Sequence, residues 1–507
     1  MGKGYTYGVA TFATFGALLF GYDSGIISTT LSQEAFIAYF HNPSATMIGA
    51  IVSTYAGGQG VGNLTAGWSM DAIGRRNTIL VAAIIGFIGG ALQAGSVNIE
   101  MFLAARIIAG FAVGLLFGTT SVYNAEIAPP KSRGFVVGLQ AQVISTGYCI
   151  ANWIGYACSF AAGNYSWRVP LALQCFPAGV LLIGIWWLPY SPRWLMQKGR
   201  FDEAYRVVKR LHGGYADDPE FYQREYDSTK EQIEYETNIV KPTWSEIITK
   251  ASYRKRFIFG ILIQSFVQLS AINVINYYQT TMYKGLGITG RTVLFVSCWY
   301  GCMGPLANLI CIFFVDKWGR KKPLGYLSIA LGVDMVIFTA LTAKYTMGEL
   351  STVGAGFAIA CIFAFSFIFS LGYNTIQFVF QSEIFPLHLR ARGVAVASVS
   401  ATIWNIVFNQ ASPSAFVSIG WKYYIVFICA NFLAAFVFLM FFPETKGLSL
   451  EEMAILFGDD VIIAPTSEEA IKRGLQSTAH RADGSEVTHS VGKDGMVHEE
   501  NGGMKEA

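Results

Sequence analysis

The sequence is short of charge for its length. Only 14% of its 507 residues are Asp, Glu, Lys or Arg, whereas 53% are apolar and 15% are aromatic. Soluble proteins carry roughly 25% charged residues. The net charge of +3 is small, and the basic residues are distributed over separate loops, so we expect no nucleic-acid partner. The composition predicts a protein that crosses the lipid bilayer many times.

Signatures of catalysis and metal binding are also missing. The six histidines are scattered mostly in loops and the tail, and the eight cysteines lack the paired spacing of a metal site. We find neither a Ser-His-Asp arrangement nor a phosphate-binding loop. Met1 to Thr6 run directly into an apolar segment, so we expect no cleavable signal peptide. We therefore expect no enzyme activity, no cofactor and no metal.

Long apolar segments dominate the chain. A segment of about 20 apolar residues can cross a hydrocarbon core of about 30 Å. We expect twelve such spans, six on either side of a polar stretch: 7–28, 47–69, 78–96, 101–124, 134–158, 167–188, 256–283, 290–315, 322–344, 352–381, 391–419 and 421–442. This pattern predicts an all-α membrane protein with twelve transmembrane helices.

The polar stretches divide the chain into four parts. We expect a six-helix half over 1–188, a helical linker over 189–255, and a second six-helix half over 256–445. Within the linker, short amphipathic helices are predicted over about 200–212, 219–239 and 243–250. Residues 446–507 are expected to form a short helix and then a polar, disordered tail.

Basic residues predict the orientation in the membrane. The loops 70–77, 125–133, 316–322 and 386–392 hold ten Lys and Arg residues, the segment 189–255 adds many more, and the opposite loops hold few. Positive loops stay in the cytoplasm, so both termini and the linker are predicted to be cytoplasmic. Asn164-Tyr-Ser166 lies in an outward loop, so Asn164 is a candidate glycosylation site.

Two loop motifs occur twice, about 250 residues apart. They are Asp71-Ala-Ile-Gly-Arg75, repeated from Asp316 to Arg320, and Glu126-Ile-Ala-Pro with Arg133, repeated from Glu383 with Arg390. Repeated halves with matched loops are typical of secondary transporters. Arginine can pair bidentately with glutamate, so the motifs predict ion-pair clusters at the cytoplasmic helix ends. The alternative is that the positive charges only fix the topology.

Two charged residues lie inside predicted spans of the first half. Asp23 lies deep in the first span and Arg106 lies in the fourth. An isolated charge in hydrocarbon is costly, so these residues are expected to be partners. The pair is either a proton switch, which loosens when Asp23 is protonated, or a permanent structural ion pair.

The chain resembles the sugar porter family of the major facilitator superfamily, of the fungal type, over about residues 7–457. Besides the repeated loops, the matching motifs are Phe20-Gly-Tyr-Asp23, Ser191-Pro-Arg-Trp-Leu195, Gln268-Leu-Ser-Ala-Ile-Asn273 and Pro443 to Glu452. The resemblance implies the major facilitator fold, and alternating-access transport of a monosaccharide or polyol. It also implies that Asp23 accepts the proton with Arg106 as its partner. Tyr190 departs from the family pattern, which has glutamate there.

The resemblance assigns two further groups of residues. The cytoplasmic gate comprises Asp71, Arg75, Glu126, Arg133, Asp316, Arg320, Glu383 and Arg390. The ligand is expected to contact Gln268, Asn273, Tyr277 and Asn405, with Gln140, Gln142, Asn374 and Phe378 as further candidates.

Several expected ligand contacts are missing from that site. Ala141, Val267 and Gly304 stand where the family has amides, and Ala401-Thr402 replaces an Asn-Trp pair. An unpaired buried polar group costs about 1–3 kcal/mol. Either neighbouring amides compensate, Asn308 and Gln377 among them, or the ligand carries fewer hydroxyl groups than a hexose.

We therefore expect a monomeric plasma-membrane protein that carries protons and a sugar-like solute. Three alternatives remain open. The same fold could export a metabolite or sugar acid, or it could allow facilitated diffusion without protons. A non-transporting sugar receptor is the third, although the tail of about 50 residues is short for signalling.

Overall fold

The computed structural model describes ten segments of the chain. These are residues 3–127, 133–212, 221–238, 244–346, 352–446, 448, 450–458, 477–480, 486–491 and 497–502. Nearly all of the described residues before 459 are helical.

The first half consists of nine helices. They are α1 (Lys3–Ala13), α2 (Phe15–Thr30), α3 (Glu34–Tyr39), α4 (Ala45–Ile73), α5 (Arg75–Ala94), α6 (Ile99–Ile127), α7 (Arg133–Cys158), α8 (Tyr165–Ala172) and α9 (Cys175–Gly184). A 3-10 turn over Ile185–Trp187 extends α9.

Four short helices follow in the predicted linker. They are α10 (Pro192–Gln197), α11 (Phe201–His212), α12 (Phe221–Asn238) and α13 (Trp244–Thr249). The Ser191 hydroxyl accepts a hydrogen bond from the Trp194 backbone N–H at 3.2 Å and caps α10. The helix α10 contacts α6, so this part of the linker lies against the first half.

The second half consists of α14 (Ala251–Leu269), α15 (Ile272–Gly285), α16 (Arg291–Trp318), α17 (Lys321–Thr346), α18 (Thr352–Ile384), α19 (Leu387–Ser418) and α20 (Tyr424–Met440). A 3-10 turn over Gly420–Tyr423 joins α19 to α20, and α21 (Leu450–Phe457) follows the last span.

Each of the twelve expected spans coincides with a long helix or a pair of consecutive helices. Within the described segments, ten such stretches are long and apolar enough to cross a membrane. The other two expected spans are α4 and α7, which have 29 and 26 residues. The all-α membrane prediction is confirmed.

Glycines of helix α4 lie at its contact face with α6. A Cβ on Gly58 would lie 2.3 Å from the Ile107 carbonyl oxygen, and one on Gly62 would lie 2.2 Å from that of Phe111. Small residues let two membrane helices approach closely. The close packing of α4 on α6 matters for the site, because α6 carries Arg106 and α4 carries its nearest aromatic ring.

The seventh span is interrupted. Helix α14 ends at Leu269 and α15 begins at Ile272, with Ala271 between them at a φ of +94°. An interrupted helix leaves backbone groups unpaired, and these need other partners inside a membrane. The Asn431 side chain donates to the Ser270 carbonyl at 3.1 Å and supplies one of them.

Short strands lie within the described residues of the tail, and the sequence prediction of disorder there stays a prediction. The structure contains three short antiparallel strands, β1 (Ser477–His480), β2 (Glu486–Val491) and β3 (Val497–Gly502), in the order β1-β2-β3. Asp-Gly pairs at 483–484 and 494–495 precede β2 and β3, and such pairs favour hairpin turns.

Among the described residues, the halves meet mainly along three helix pairs. Helix α4 packs on α19, α7 packs on α16 and α2 packs on α15. We call the end of the bundle that carries α10 and the turns at Gly74 and Gly319 the linker end. Residues 31–44 and 286–290 lie at the opposite end.

Candidate functional site

A buried ion pair lies in the interior of the first half. The Arg106 Nη1 atom is 2.9 Å from Asp23 Oδ1, and the two side chains are 0% and 1% exposed. Arg106 Nε also donates to the Ile51 carbonyl at 3.2 Å, and the guanidinium lies 4.2 Å from the centre of the Tyr55 ring. Three helices, α2, α4 and α6, thus hold one arginine. The structure brings together the two charged residues that were expected to be partners.

The Asp23–Arg106 contact uses only one polar atom of each side-chain terminus. By hydrogen-bond geometry, Asp23 Oδ2, Arg106 Nη2 and the hydroxyl of Tyr55, which interacts with Asp23, are buried without a well-formed hydrogen bond to a described residue. A buried polar group without a partner is costly. One oxygen of the Asp23 carboxylate is therefore paired with Arg106. The other oxygen is available to take up a proton.

Tyr277 approaches the pair from the second half. It lies on α15 with 4% of its surface exposed, and α15 packs against α2. The next residue, Tyr278, donates its hydroxyl to the Asn409 carbonyl at 2.7 Å. Tyr277 is therefore placed close to the ion pair, whereas Tyr278 ties α15 to α19.

Three of the expected ligand amides, Gln268, Asn273 and Asn405, are paired with near neighbours. Asn273 donates to the Gln268 side chain across the break between α14 and α15. Asn409 donates to the Asn405 side chain one turn away on α19. These amides hold each other in place, and each retains polar atoms beyond that single bond.

A polar network joins α16 to both neighbouring helices. Asn308 Nδ2 donates to the Ser145 hydroxyl at 2.6 Å, and Asn374 Nδ2 donates to Asn308 Oδ1 at 3.3 Å. Gln377 Nε2 donates to the Asn374 carbonyl at 3.4 Å. Asn308 therefore lies one turn beyond Gly304, where the family has an amide, and connects α7 of the first half to α18 of the second.

Gln140 is engaged within the first half. Its Oε1 accepts from the Ser121 hydroxyl at 2.6 Å, and its Nε2 donates to the Phe117 carbonyl at 3.3 Å. Both contacts are to α6, so this side chain connects α7 to α6. Gln142 differs, since its buried Oε1 has no partner among the described residues.

An aromatic contact crosses between the halves near these amides. The Phe117 ring on α6 lies 5.8 Å from the Phe378 ring on α18. The Phe20 ring packs on the other side of Phe117 at 5.5 Å. Phe378 therefore belongs to an apolar wall built by both halves.

The first of two arginine–glutamate clusters lies at the linker end of the first half. Arg75 Nη2 is 2.9 Å from Glu126 Oε1, and the Ser191 hydroxyl donates to Glu126 Oε2 at 2.5 Å. Asp71 is 3.5 Å from Arg75, but its side chain is 76% exposed, so this contact is weak. Glu126 is the residue around which the cluster forms.

The second half repeats this arrangement. Arg320 Nη2 is 2.8 Å from Glu383 Oε1, and the Thr445 hydroxyl donates to the other carboxylate oxygen. Glu383 lies just beyond the apolar span of α18. Its burial raises the pKa of the carboxyl above the usual range, and the Arg320 guanidinium opposes that rise.

Four other predicted residues need separate comment. The side chains of Arg133, Asp316 and Arg390 lie outside the described residues. Asn164 precedes α8 and is exposed; its Oδ1 accepts from the Trp167 ring at 3.3 Å.

The sequence reasoning did not single out several residues that the structure places at these clusters. Ser191 and Thr445 complete the two glutamate sites, and Tyr55 lies over Arg106. Asp334 is a further buried carboxyl inside the span of α17. Two features of the sequence could have revealed them. A hydroxyl residue follows two positions after Pro189 and again after Pro443, and Asp334 is a charged residue within an apolar segment.

Comparison with known proteins places these clusters in context. The family model "Sugar (and other) transporter" matches residues 9–457. The MFS-type transporter criB of Aspergillus cristatus is 36% identical over 480 residues, which is 94% of this chain and 99% of that protein. A galactose-proton symporter of Escherichia coli is 30% identical over 455 residues, covering 89% and 94% of the two chains.

The fold has solved counterparts. The proton:xylose symporter XylE, bound to 6-bromo-6-deoxy-D-glucose, has a TM-score of 0.75 at 24% identity, covering 90% of this chain and 100% of that one. A partially occluded inward-open form of XylE from E. coli has a TM-score of 0.74 at 25% identity, covering 88% and 100%. The chain thus has the major facilitator fold and is a multi-pass membrane protein, and it belongs to the sugar (and other) transporter family.

Proposed function

We propose that this protein couples an inward proton movement to the transport of a monosaccharide or related polyol by alternating access. Relatives named for glucose and for galactose with protons support the substrate class. The single observation that carries the proton coupling is the buried Asp23–Arg106 pair, in which one carboxylate oxygen has no well-formed hydrogen bond to a described residue.

The pair offers a simple coupling mechanism. When Asp23 is ionised it attracts Arg106 strongly, because the surroundings exclude water. When Asp23 is protonated that attraction falls, while the Ile51 carbonyl and the Tyr55 ring still hold the arginine. Protonation thus changes the contact between α2 and α6 and leaves α4 and α6 together. Each proton that enters down 100 mV supplies about 2.3 kcal/mol.

Solute binding would affect the position of α15 in the second half. Tyr277 lies on α15 beside α2, and Gln268 and Asn273 flank the break between α14 and α15. A hydroxylated ligand that bound these amides would act on the same short helix that approaches the ion pair. This shared helix is the physical route by which solute and proton could influence one another.

We infer that the linker end faces the cytoplasm of a plasma-membrane protein, in keeping with the positive-inside rule. The two glutamate clusters then serve as the cytoplasmic gate, with Arg133, Asp316 and Arg390 as further members. Asn164 would lie outside and could carry a glycan. We propose that the monomer is the transporting unit, as each half supplies part of one site.

A second candidate function is export of a less hydroxylated metabolite on the same fold. Two observations favour it: 36% identity to a protein named only as an MFS-type transporter, and the pairing of candidate amides with one another. The Phe20, Phe117 and Phe378 rings would suit an apolar solute. Facilitated diffusion without protons is the remaining variant.

An uptake panel decides among these functions. Cells without their own hexose carriers would express the protein and receive labelled glucose, galactose, xylose, a polyol and a sugar acid at pH 5 and pH 7.5. Proton-coupled sugar transport predicts uphill uptake of at least one sugar, several-fold faster at pH 5 and abolished by a protonophore. Downhill uptake that ignores the protonophore would indicate facilitated diffusion. No uptake of any sugar would favour the exporter.

A further inference from the structure

The two halves hold their linker-end turns by different means. In the second half, the Glu444 carboxylate accepts hydrogen bonds from the backbone N–H groups of Arg320 at 2.8 Å and Lys321 at 3.1 Å. These groups belong to the start of α17, where the unpaired N–H groups of a helix attract an anion. In the second half, the turn at Gly319 is therefore held by the Glu444 carboxylate.

The matching position in the first half is Tyr190. Pro189-Tyr190-Ser191 corresponds to Pro443-Glu444-Thr445, because the hydroxyls of Ser191 and Thr445 donate to the equivalent gate glutamates. A phenol ring cannot supply the carboxylate oxygens with which Glu444 accepts two backbone N–H groups. The first half must secure its turn in another way.

Aromatic rings take the place of the carboxylate. The Arg76 guanidinium lies 4.8 Å from the centre of the Tyr190 ring, and Tyr190 stacks on Trp194 with centres 5.6 Å apart and an interplanar angle of 21°. The Trp194 indole N–H donates to the Asp71 carbonyl at 3.3 Å. The stack thus runs from the first turn of α5 to the linker helix α10 and returns to the end of α4.

The turn itself is shaped to receive the indole. Gly74 has a φ of +86°, and a Cβ there would lie 2.9 Å from the Trp194 ring. In the second half a Cβ on Gly319 would lie 2.7 Å from Glu444. The two glycines therefore make room for different partners: an aromatic ring in the first half and a carboxylate in the second.

We propose that Arg76, Tyr190 and Trp194 form an aromatic clamp that fastens linker helix α10 to the first half, in place of the carboxylate that accepts backbone N–H groups in the second half. A cation is attracted to an aromatic face, and guanidinium stacks well on rings. Salt screens exposed charge pairs far more than packed contacts of this kind. The clamp is a positioning device, independent of which solute is carried.

Labelling of a buried position on α10 tests the clamp without any transport assay. Met196 is 2% exposed and packs in the same cluster as Trp194. Full-length Met196→Cys protein in inside-out vesicles would be treated with a membrane-impermeant maleimide. The same chain without Met196→Cys would give the background from native cysteines, and every Tyr190 or Arg76 variant would be made in the Met196→Cys protein, which is the parent for comparison. We expect slow labelling that stays within twofold in Y190F and Y190W, and about fivefold faster labelling in Y190L and R76Q.

The Y190E variant provides the matched comparison with the second half. Its carboxylate should accept the backbone N–H groups of Arg75 and Arg76, so labelling should be slow at low salt and several-fold faster near 1 M salt. The Tyr190 parent should label at the same rate in both. Equal labelling of Y190L and the parent would overturn the proposal, and so would fast labelling of Y190F. If Y190L does not fold, R76Q and the salt response of Y190E decide.

Discussion

At the scale of single residues, two buried carboxyl groups within the described spans differ in what surrounds them. Asp23 has Arg106 at 2.9 Å, and the arginine is held by α4 as well. Asp334, on α17, is buried beside Cys361 of α18 and has one oxygen without a partner among the described residues. Only Asp23 belongs to a charge pair between helices of the first half, so only its protonation should alter how those helices are held.

Asp23→Asn is expected to abolish uphill accumulation of the solute, with the internal to external ratio falling to about one. The amide cannot exchange a proton and attracts Arg106 less strongly. Exchange of labelled for unlabelled solute should remain measurable, because the solute amides are untouched.

Asp334→Asn is the matched control for this change. It also neutralises a buried membrane carboxyl, and we expect accumulation within twofold of the parent. Normal accumulation in Asp23→Asn, or equal loss in both variants at equal membrane abundance, would contradict proton coupling through Asp23.

At the scale of elements, sharp turns with a positive φ join consecutive helices of the second half. Gly319 joins α16 to α17 at a φ of +81°, and the space above its Cα is filled by Glu444. Gly420 joins α19 to α20 at a φ of +54°, and a Cβ added there would have nothing within 4 Å among the described residues. Both positions have a positive φ, but the backbone of Gly319, with a ψ of −163°, lies in a region that essentially only glycine adopts, and its Cα is crowded as well.

Gly319→Ala is therefore expected to destabilise the protein more than Gly420→Ala. A non-glycine residue with a positive φ costs about 1–2 kcal/mol in the left-handed helical region, and the Gly-specific backbone of Gly319 costs about 1–3 kcal/mol. Gly319→Ala must also displace the carboxylate that caps α17, which adds about 1–3 kcal/mol. Thermal unfolding of the purified protein in detergent measures the difference, and equal shifts in midpoint would show that Glu444 contributes nothing at this turn.

At the scale of the whole molecule, polar contacts between the halves extend from mid-bundle to the end opposite the linker. Ser53 of α4 donates to Gln410 of α19 at 2.7 Å, and Thr280 of α15 donates to the Ser28 carbonyl at 3.3 Å. The described glutamate clusters at the linker end lie within single halves. The halves are thus joined at one end, and each is braced separately at the other.

A native cysteine pair tests whether the halves separate during transport. Cys149 Sγ on α7 is 3.3 Å from Cys302 Sγ on α16, whereas a disulfide needs about 2.0 Å. Copper phenanthroline, which removes two electrons as the two thiols lose their protons, should join them. We expect uptake to fall by about tenfold and to recover with dithiothreitol, because alternating access requires the helices of the two halves to move apart.

Cys302→Ser is the control, since it removes one thiol and should keep its uptake after oxidation. A protease site between α11 and α12 would show the cross-link directly, as two fragments that stay joined until reduced. Full uptake by cross-linked protein would mean that α7 and α16 do not separate in the cycle.

The sequence alone determined the twelve spans, the partnership of Asp23 with Arg106 and the two arginine–glutamate contacts at Glu126 and Glu383. These follow from local physics: apolar length sets a span, and a buried charge requires an opposite charge. The tertiary structure alone decided what the polar side chains between helices contact. Gln140 connects to α6, Asn308 joins α7 to α18, and Arg76 lies over Tyr190. Helical periodicity places a residue on a face, but the packing of neighbouring helices sets which partner that face meets.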